Sequence, residues 1–154
     1  MAEYIPSTRD WVAEQVELYE GSQGTEGLTL RDTGLPVIIV TNTGAKTGAI
    51  RKTPLMRVVD GDNYVLVGSQ GGAPKHPVWV YNLTAEPNVE IRDGTIVQSM
   101  RVREVIDTEE RNRLWAIAVE AFPPYTEYQN KTSRVIKVFL AEPKGYNLAA
   151  ISAR

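Results

Sequence analysis

Apolar residues near the start of the chain recur at the spacing of an α-helix. The stripe that they form consists of Trp11, Val12, Val16 and Tyr19. Ser7 and Asp10 precede it at the spacing of a capping box, which predicts where the helix begins. The stretch EGSQGTEG follows without any periodicity, so we expect it to be a loop or a mobile linker.

Apolar runs in the middle of the chain predict β-strands. The continuous run LPVIIVTN is typical of a strand that is covered on both faces. The runs TPLMRVV and YVLVGS, joined by the turn DGDN, predict a β-hairpin, and VEIR and IVQSMRVRE predict another through Asp93 and Gly94. The second arm of that hairpin has arginines on one face, and its apolar face consists of Ile96, Met100 and Val102.

A second long helix and a last strand complete the pattern. Asp107 and Glu110 form a capping box for this helix, and Pro123 and Pro124 end it. Its apolar stripe consists of Leu114, Ile117, Ala118 and Ala121. The run RVIKVFLAEP then predicts the last strand. About six strands, mostly in sequential hairpins, with two long helices and one short one favour a mainly β (α+β) fold, a small antiparallel barrel with helices packed outside.

Composition limits the fold and the chemistry further. The 154 residues suit a single domain, residues 1–154, and a net charge of −2 creates no field that would recruit nucleic acid or anionic membrane. The absence of cysteine excludes thiolate catalysis, and a single histidine argues against a histidine metal site. A nicotinamide domain is disfavoured because no G-x-G-x-x-G follows a strand. The chain has neither a signal sequence nor a long apolar run, so we expect a cytoplasmic protein.

The first candidate site is the loop TGAKTGAIRKTP, residues 43–54. Its glycines let backbone N–H groups approach an anion, and Lys46, Arg51 and Lys52 supply positive charge, which suits a phosphate. The loop lacks the spacer and the G-K-[S/T] order of a P-loop. An ordinary solvated turn with surface cations is the alternative.

The second candidate site is the stretch GSQGGAPKHPVWVYNL, residues 68–83. Its adjacent glycines can turn the chain and offer free N–H groups to a flat ligand that bears carbonyl groups. Pro77 predicts the start of a short helix that places Trp79 and Asn82 on one face. Core packing is the alternative for the tryptophan, and His76 is more typical of a surface or hydrogen-bonding residue than of a catalyst.

The third candidate site is the segment AFPPYTEYQNKTSR, residues 121–134. Phe122, Tyr125 and Tyr128 recur at steps of three just after the predicted end of a helix. Aromatic side chains at this spacing can wall a pocket for a planar substrate, with phenol groups as hydrogen-bond donors to a carbonyl. Packing in the core is the alternative.

In this order, the motifs K-T-G-x-x-R-x-x-P-L, S-x-G-G-A-x-x-x-P-x-W-x-x-N-L-x-A-x-P and F-P-x-Y-x-x-Y resemble the deazaflavin-dependent nitroreductase family. That family is the actinobacterial branch of the split β-barrel reductases that use coenzyme F-420, and the resemblance covers residues 35–143. It implies an oxidoreductase in which reduced coenzyme F-420 is the hydride donor. A split β-barrel agrees with the barrel inferred from the hairpins.

The resemblance also implies roles for individual residues. Positions that hold the phosphate and ribityl tail of the cofactor are matched by Lys46, Thr47, Arg51, Thr53 and Pro54. Positions that line the deazaflavin ring are matched by Val67, Ser69, Gln70, Gly71, Gly72 and Ala73. The short helix that closes over the cofactor is matched by Val78, Trp79 and Asn82. The substrate pocket is matched by Phe122, Tyr125 and Tyr128, and the catalytic candidates are Ser69, Tyr125 and Tyr128.

The implied reaction is hydride transfer to an electron-poor acceptor, either a quinone or an activated C=C bond such as that of an enone or of a coumarin- or aflatoxin-type lactone. Ser69 or Tyr125 is expected to donate to the acceptor oxygen, and Tyr128 to shape the pocket or relay the proton. Gln70 replaces a lysine of a relative. Phe122 replaces a tyrosine of the nitroimidazole-reducing member, so quinone or enone reduction is favoured over nitro reduction. Residues 1–34 are expected to form a helix and linker able to fold over the pocket.

Two other functions stay open on the sequence. Split barrels also bind flavin mononucleotide (FMN) or haem, so an FMN-dependent oxidase or reductase is one alternative, and a non-catalytic deazaflavin carrier is the other. A monomer or a weak homodimer is expected. Membrane contact is expected only if the substrate is a lipid quinone, at the inner membrane face and through the N-terminal helix. The acidic residues of that helix, Glu14, Glu17 and Glu20, oppose binding to anionic lipid.

Overall fold

The computed structural model describes residues 2–30 and 33–144. The helices in these ranges are α1 (Asp10–Gly21), α2 (Val78–Ala85), α3 (Thr108–Ala121) and α4 (Pro124–Lys131). The strands are β1 (Val37–Thr43), β2 (Ile50–Met56), β3 (Val59–Asp60), β4 (Asn63–Val67), β5 (Asn88–Asp93), β6 (Ile96–Glu104) and β7 (Val138–Pro143). The strands number one more than the sequence predicts, and the short β3 accounts for the difference.

All the strands form one antiparallel sheet in the order β2, β1, β5, β6, β7, β4, β3. Strand β1 lies between β2 and β5, so both of its edges are paired. Its alternate side chains enter two cores: Ile38 and Val40 pack in the cluster that includes α2, whereas Val37 and Ile39 pack against α1. The prediction that this strand is covered on both faces is confirmed.

The predicted hairpin between TPLMRVV and YVLVGS is confirmed only next to its turn. There, Val59 and Asp60 pair with β4, and the N–H of Val65 donates to the carbonyl oxygen of Val58 at 2.9 Å. The start of its first arm belongs to β2, which pairs with β1 along its whole length and places Thr53 opposite Val40. The turn of residues 44–49 folds β2 back onto β1, and this longer ladder uses the backbone groups that the predicted hairpin would have paired.

The second predicted hairpin is confirmed. Asp93 at the end of β5 lies opposite Ile96 at the start of β6, and Gly94 in the turn has a φ of 61°. Met100 and Val102 are buried, as predicted. Ile96 is 57% exposed because it lies at the turn end of the hairpin, so its predicted place on the buried face is wrong.

The N-terminal helix forms where the apolar stripe predicts it, but its start differs. Helix α1 begins at Asp10 after Arg9 as N-cap, and no side chain caps it. The hydroxyl of Ser7 instead accepts a hydrogen bond from the N–H of Arg9 at 3.1 Å, so the predicted capping box is wrong. The glycine-rich stretch after α1 is a loop, as predicted. The Ser22 hydroxyl accepts hydrogen bonds from two backbone N–H groups of this loop, those of Thr25 and Glu26.

Helix α3 begins as the sequence predicts. The carboxylate of Asp107 accepts a hydrogen bond from the N–H of Glu110 at 3.0 Å, which is the expected cap. Leu114 and Ala118 are fully buried against the sheet. Ala121 is exposed because it is the last residue of the helix, so its predicted place in the buried stripe is wrong.

Helix α4 is an element that the sequence analysis missed. Pro123 and Pro124 end α3 as predicted, but they also begin α4, because proline is compatible with the first turn of a helix. The last strand is shorter than predicted and begins at Val138. Residues 132–137 connect α4 to this strand, and Arg134 and Lys137 in this connection bind the turn that follows β4.

Candidate active site

A cavity of about 440 Å³ opens between α1, β2, α2 and α4. Many residues that the sequence proposes for the site line this cavity. They are Arg51, Thr53, Pro54, Val67, Ser69, Gln70, Val78, Trp79, Asn82, Phe122, Tyr125 and Tyr128. Those that do not line it are Lys46, Thr47, Gly71, Gly72 and Ala73. All three candidate segments of the sequence therefore contribute to one cavity.

The predicted loop of residues 43–54 is divided between a turn and the two strands that flank it. Residues 44–49 form the turn, in which Lys46 and Thr47 are exposed. The hydroxyl of Thr47 accepts a hydrogen bond from the N–H of Ala49 at 3.1 Å. Thr43 ends β1 and residues 50–54 lie in β2, so the prediction of one continuous loop is wrong.

Strand β2 spans the cavity from a cationic region to an aromatic one. Arg51 near its start and Met56 at its end both line the cavity, and they lie about 16 Å apart at the rise of an extended strand. Met56 packs against the cluster that contains Phe122 and Tyr125. The cavity is thus elongated, with different chemistry at its two ends.

The protein balances only part of the positive charge in this cavity. Lys52 forms an ion pair with Glu20, which also pairs with Arg92, so Glu20 is not part of a free acidic face of α1. Burial alone would raise the pKa of the Glu20 carboxyl, but the hydrogen bonds and charges of its two partners outweigh burial and hold that pKa below its ordinary value. Arg9 and Arg51 also line the cavity, and neither forms an ion pair within residues 2–30 and 33–144.

A chain of buried amides connects α2 to the turn that carries Lys46. Asn82 of α2 donates from Nδ2 to Oδ1 of Asn42 at 3.0 Å, and its Oδ1 accepts a hydrogen bond from the N–H of Ala45 at 2.9 Å. The Nδ2 of Asn42 donates in turn to the hydroxyl of Thr53 at 3.2 Å. Asn82 therefore holds the position of the turn as well as lining the cavity.

The turn after β4 consists largely of left-handed backbone. Gln70 has a φ of 43°, and Gly71 and Gly72 follow with φ of 63° and 80°. The N–H groups of Gly72 and Ala73 donate to the carbonyl oxygens of Ser69 and Gln70 at 2.9 and 3.0 Å, so the expectation that the glycine turn offers free N–H groups is wrong for these two. The Ser69 hydroxyl makes no hydrogen bond to the part of the chain that the structure describes, and Ser69 lines the cavity.

The aromatic cluster serves as core and as cavity wall at the same time. The ring centroids of Phe122 and Tyr125 lie 4.9 Å apart, and those of Tyr125 and Tyr128 lie 6.3 Å apart. Phe122 and Tyr125 are buried in the core cluster that includes α3, yet all three rings line the cavity. Burial, and to a smaller extent the neighbouring Tyr128, raises the pKa of Tyr125.

Several residues of this site were not expected from the sequence. The N-terminal residues that line the cavity are Ser7, Thr8, Arg9, Trp11 and Val12. The apolar stripe of α1 was a signal for two of them, because Trp11 and Val12 are only half-buried in the core. Asn42 and Arg134, which hold the turns around the cavity, gave no pattern that could have identified them.

Comparison with known proteins identifies the family. A family model described as F420H(2)-dependent quinone reductase, F420H(2) being reduced coenzyme F-420, matches residues 11–143. The chain belongs to this family. It is also 38% identical to an F420H(2)-dependent quinone reductase of Mycobacterium tuberculosis over 123 residues, which are 79% of this chain and 82% of the relative.

Two solved structures support the family and the fold. An F-420-dependent reductase, FDR-A, is 49% identical, with a TM-score of 0.65 over 70% of this chain and 94% of its own. A second structure, described as a domain-swapped dimer, is 46% identical, with a TM-score of 0.68 over 88% of this chain and 100% of its own. These matches confirm the predicted split β-barrel.

Membership of this family makes the protein an F-420-dependent reductase and coenzyme F-420 its cofactor, and gives no support to the FMN alternative. The cavity fits such a cofactor. Arg9 and Arg51, which form no ion pair with the described residues, can bind an anionic tail, and the distance of about 16 Å from Arg51 to Met56 leaves room for a flat ring beside the aromatic wall.

No helix within residues 2–30 and 33–144 is both long and apolar enough to span a membrane. Across the same residues, no cluster of carboxylates and histidine could hold a metal ion.

Proposed function

We propose that this F-420-dependent reductase reduces quinones and activated C=C bonds, such as those of enones and of coumarin- or aflatoxin-type lactones. One observation carries the proposal. The hydroxyl groups of Ser69 and Tyr125 lie in the same cavity as Arg9 and Arg51. Among the described residues, these hydroxyl groups have no hydrogen-bond partner and these arginines have no ion-pair partner. A site of this kind can bind an anionic cofactor and polarise the oxygen of a neutral acceptor.

The cofactor is held in two regions. Lys46 and Arg51 bind the phosphate, with Thr47, Thr53 and Pro54 beside them, and Lys52 contributes less because Glu20 neutralises it. The ring lies beside the turn after β4 and under α2, next to Val67, Ser69, Gln70, Val78, Trp79 and Asn82, whereas Gly71, Gly72 and Ala73 shape that turn without lining the cavity. When bound, the reduced cofactor supplies a hydride, which together with one proton reduces a quinone carbonyl or an enone by two electrons.

The hydroxyl groups of the cavity assist the acceptor. Burial raises the pKa of Tyr125, so this side chain keeps its proton at neutral pH and acts as a hydrogen-bond donor rather than as a base. Ser69 donates from the turn after β4, which packs beside α4. Tyr128, which is half-buried beside Tyr125, relays the proton to the developing oxygen.

Phe122 decides between acceptor classes in this proposal. It is 8% exposed and lines the cavity beside Tyr125 without offering a hydroxyl group. An apolar ring at this position favours quinones and enones over nitroimidazoles, because a nitro group needs more hydrogen-bond donors to stabilise its developing charge.

The test is oxidation of reduced coenzyme F-420, followed by its visible absorbance, with menadione, cyclohexenone and a nitroimidazole in parallel. We expect turnover with the first two and little with the third. Tight binding of the cofactor without turnover would favour the carrier, and binding of FMN in place of F-420 would contradict the proposed cofactor site.

Variants of single hydroxyl groups refine the test. Ser69→Ala and Tyr125→Phe should each lower kcat by about tenfold to a hundredfold, because each removes one donor to the acceptor oxygen. Tyr81→Phe is the matched control, since Tyr81 is 54% exposed on α2 and does not line the cavity. Equal rates in all three variants would contradict the proposed roles.

A homodimer is the assembly favoured here, supported by the relative described as a domain-swapped dimer. Light scattering of the purified protein distinguishes it from the monomer. Contact with the inner membrane face is proposed only for a lipid quinone, and co-sedimentation with vesicles that contain menaquinone tests it.

A further inference from the structure

The guanidinium group of Arg134 lies beneath the turn that carries Ser69. Its Nη1 donates to the carbonyl oxygen of Gly68 at 3.0 Å, its Nη2 to that of Ser69 at 2.8 Å, and its Nε to that of Ala73 at 2.9 Å. Nη1 also lies 3.2 Å from Nδ1 of His76, which must act as the acceptor because a guanidinium group only donates. One side chain thus binds carbonyl groups at both ends of the turn.

The conformation of this turn requires such support. Gln70 adopts a left-handed φ of 43°, which is costly for a residue with a side chain, and two left-handed glycines follow it. Backbone of this kind persists where the surrounding structure fixes it, and such sites cluster at ligand pockets. The hydrogen bonds of Arg134 fix the carbonyl groups on both sides of Gln70.

Arg134 is itself held by helix α4. The side-chain Nε2 of Gln129 donates to the carbonyl oxygen of Arg134 at 2.8 Å, and Oε1 of Gln129 accepts a hydrogen bond from the N–H of Ile136 at 3.0 Å. The N–H of Arg134 donates to the hydroxyl of Thr132 at 3.3 Å. Since α4 also carries Tyr125 and Tyr128, Arg134 joins the helix of the tyrosines to the turn of the serine.

We propose that Arg134 is a positioning residue for the reduction, which holds the turn that carries Ser69 in place beside α4 and so sets the Ser69 hydroxyl relative to the tyrosines of that helix. This inference rests on the function proposed above. Arg134 does not line the cavity, so it acts through the carbonyl groups that it binds. Lysine cannot replace it, because an ammonium group lacks the planar fork that reaches three carbonyl groups at once.

The test compares Arg134→Lys and Arg134→Gln with Arg113→Lys and Arg113→Gln. Arg113 pairs with Asp60 at 3.0 Å, is 54% exposed and does not line the cavity, so it controls for a lost arginine. In both Arg134 variants we expect kcat with menadione to fall about tenfold to a hundredfold, the loss typical of a displaced catalytic group. The Kd for F-420 should change much less, because Lys46 and Arg51 are untouched.

A second measurement on the cofactor-free protein does not depend on activity. Hydrogen exchange at the amides of Gly72 and Ala73 should be faster in the Arg134 variants than in the wild type and unchanged in the Arg113 variants. Unchanged exchange, or an equal loss of kcat in both sets, would overturn the proposal. If the wild-type protein does not oxidise reduced F-420, the proposed function fails, and exchange alone decides whether Arg134 holds the turn.

Discussion

Gly72 lies against the backbone of Tyr128 so closely that only a glycine fits. A Cβ atom added to Gly72 would lie 2.7 Å from the carbonyl oxygen of Tyr128, and its φ of 80° is also a left-handed value. The turn after β4 bends around helix α4, which carries the tyrosines of the cavity.

Gly72→Ala should therefore be far more harmful than Gly71→Ala. Both glycines are left-handed, but a Cβ atom on Gly71 would meet no atom within 4 Å. We expect a loss of about 1 kcal/mol in the free energy of unfolding for Gly71→Ala and about 3 kcal/mol for Gly72→Ala, where displaced backbone adds to the strain. Urea unfolding measures both, and similar losses would show that α4 moves aside without cost.

The sequence predicted the elements of this fold better than their partners. Continuous β-branched residues identified β1 as doubly covered, because that pattern depends only on burial. The partner of β2 could not be predicted in the same way, since the turn DGDN is a genuine local signal for the β3–β4 pair and says nothing about the longer ladder with β1. Pro123 and Pro124 correctly predicted the end of α3. They did not predict α4, because proline can end one helix and also begin the next.

The part of the site that lies in the three motifs was predictable, whereas Ser7, Thr8 and Arg9 also line the cavity and belong to none of those motifs. Ser69, Phe122 and Tyr125 lie in motifs, and all three line the cavity. Arg134 and Asn42 act through hydrogen bonds to backbone or amide groups that are distant in sequence, 61 residues in the case of Ala73 and 40 in the case of Asn82. Such contacts follow from the tertiary fold and leave no local pattern.

Glu20 should make the stability of the protein dependent on pH in the acid range. Because its pKa is lower in the folded protein than the ordinary value of 4.5, its contribution is complete above that value and is lost as the pH falls through the folded pKa. Glu20→Gln leaves Lys52 and Arg92 without their partner, so we expect a loss of about 1–3 kcal/mol in the free energy of unfolding at pH 7 and a smaller difference from the wild type at pH 3.

Glu17→Gln is the matched control for this change. It lies on the same helix, is exposed, and forms no ion pair with the part of the chain described. Urea unfolding at the two pH values should leave it close to the wild type. A loss in Glu20→Gln that does not shrink on acidification would mean that the pairs with Lys52 and Arg92 do not carry the effect.

Phe122→Tyr should extend the range of acceptors. The new hydroxyl adds a donor to a cavity wall that already contains Tyr125 and Tyr128, so we expect faster reduction of a nitroimidazole with little change for menadione. Phe122→Leu separates the effect of the ring from that of the hydroxyl, and it should slow all acceptors. The measurement is the rate of oxidation of reduced F-420 with the nitroimidazole and with menadione in parallel. If the ratio of these two rates is the same in Phe122→Tyr as in the wild type, Phe122 does not determine acceptor specificity.

Asn82→Ala should weaken cofactor binding through the turn of residues 44–49. The change leaves the N–H of Ala45 and the Oδ1 of Asn42 without their present partners, which should lower the free energy of unfolding by about 1–3 kcal/mol. The turn carries Lys46, so a loosened turn should also raise the Kd for F-420. Asn112→Ala on the exposed face of α3 is the control and should change neither quantity. A lower stability of Asn82→Ala with an unchanged Kd would mean that the position of Lys46 is not what binds the phosphate, and the binding would then rest on Arg51.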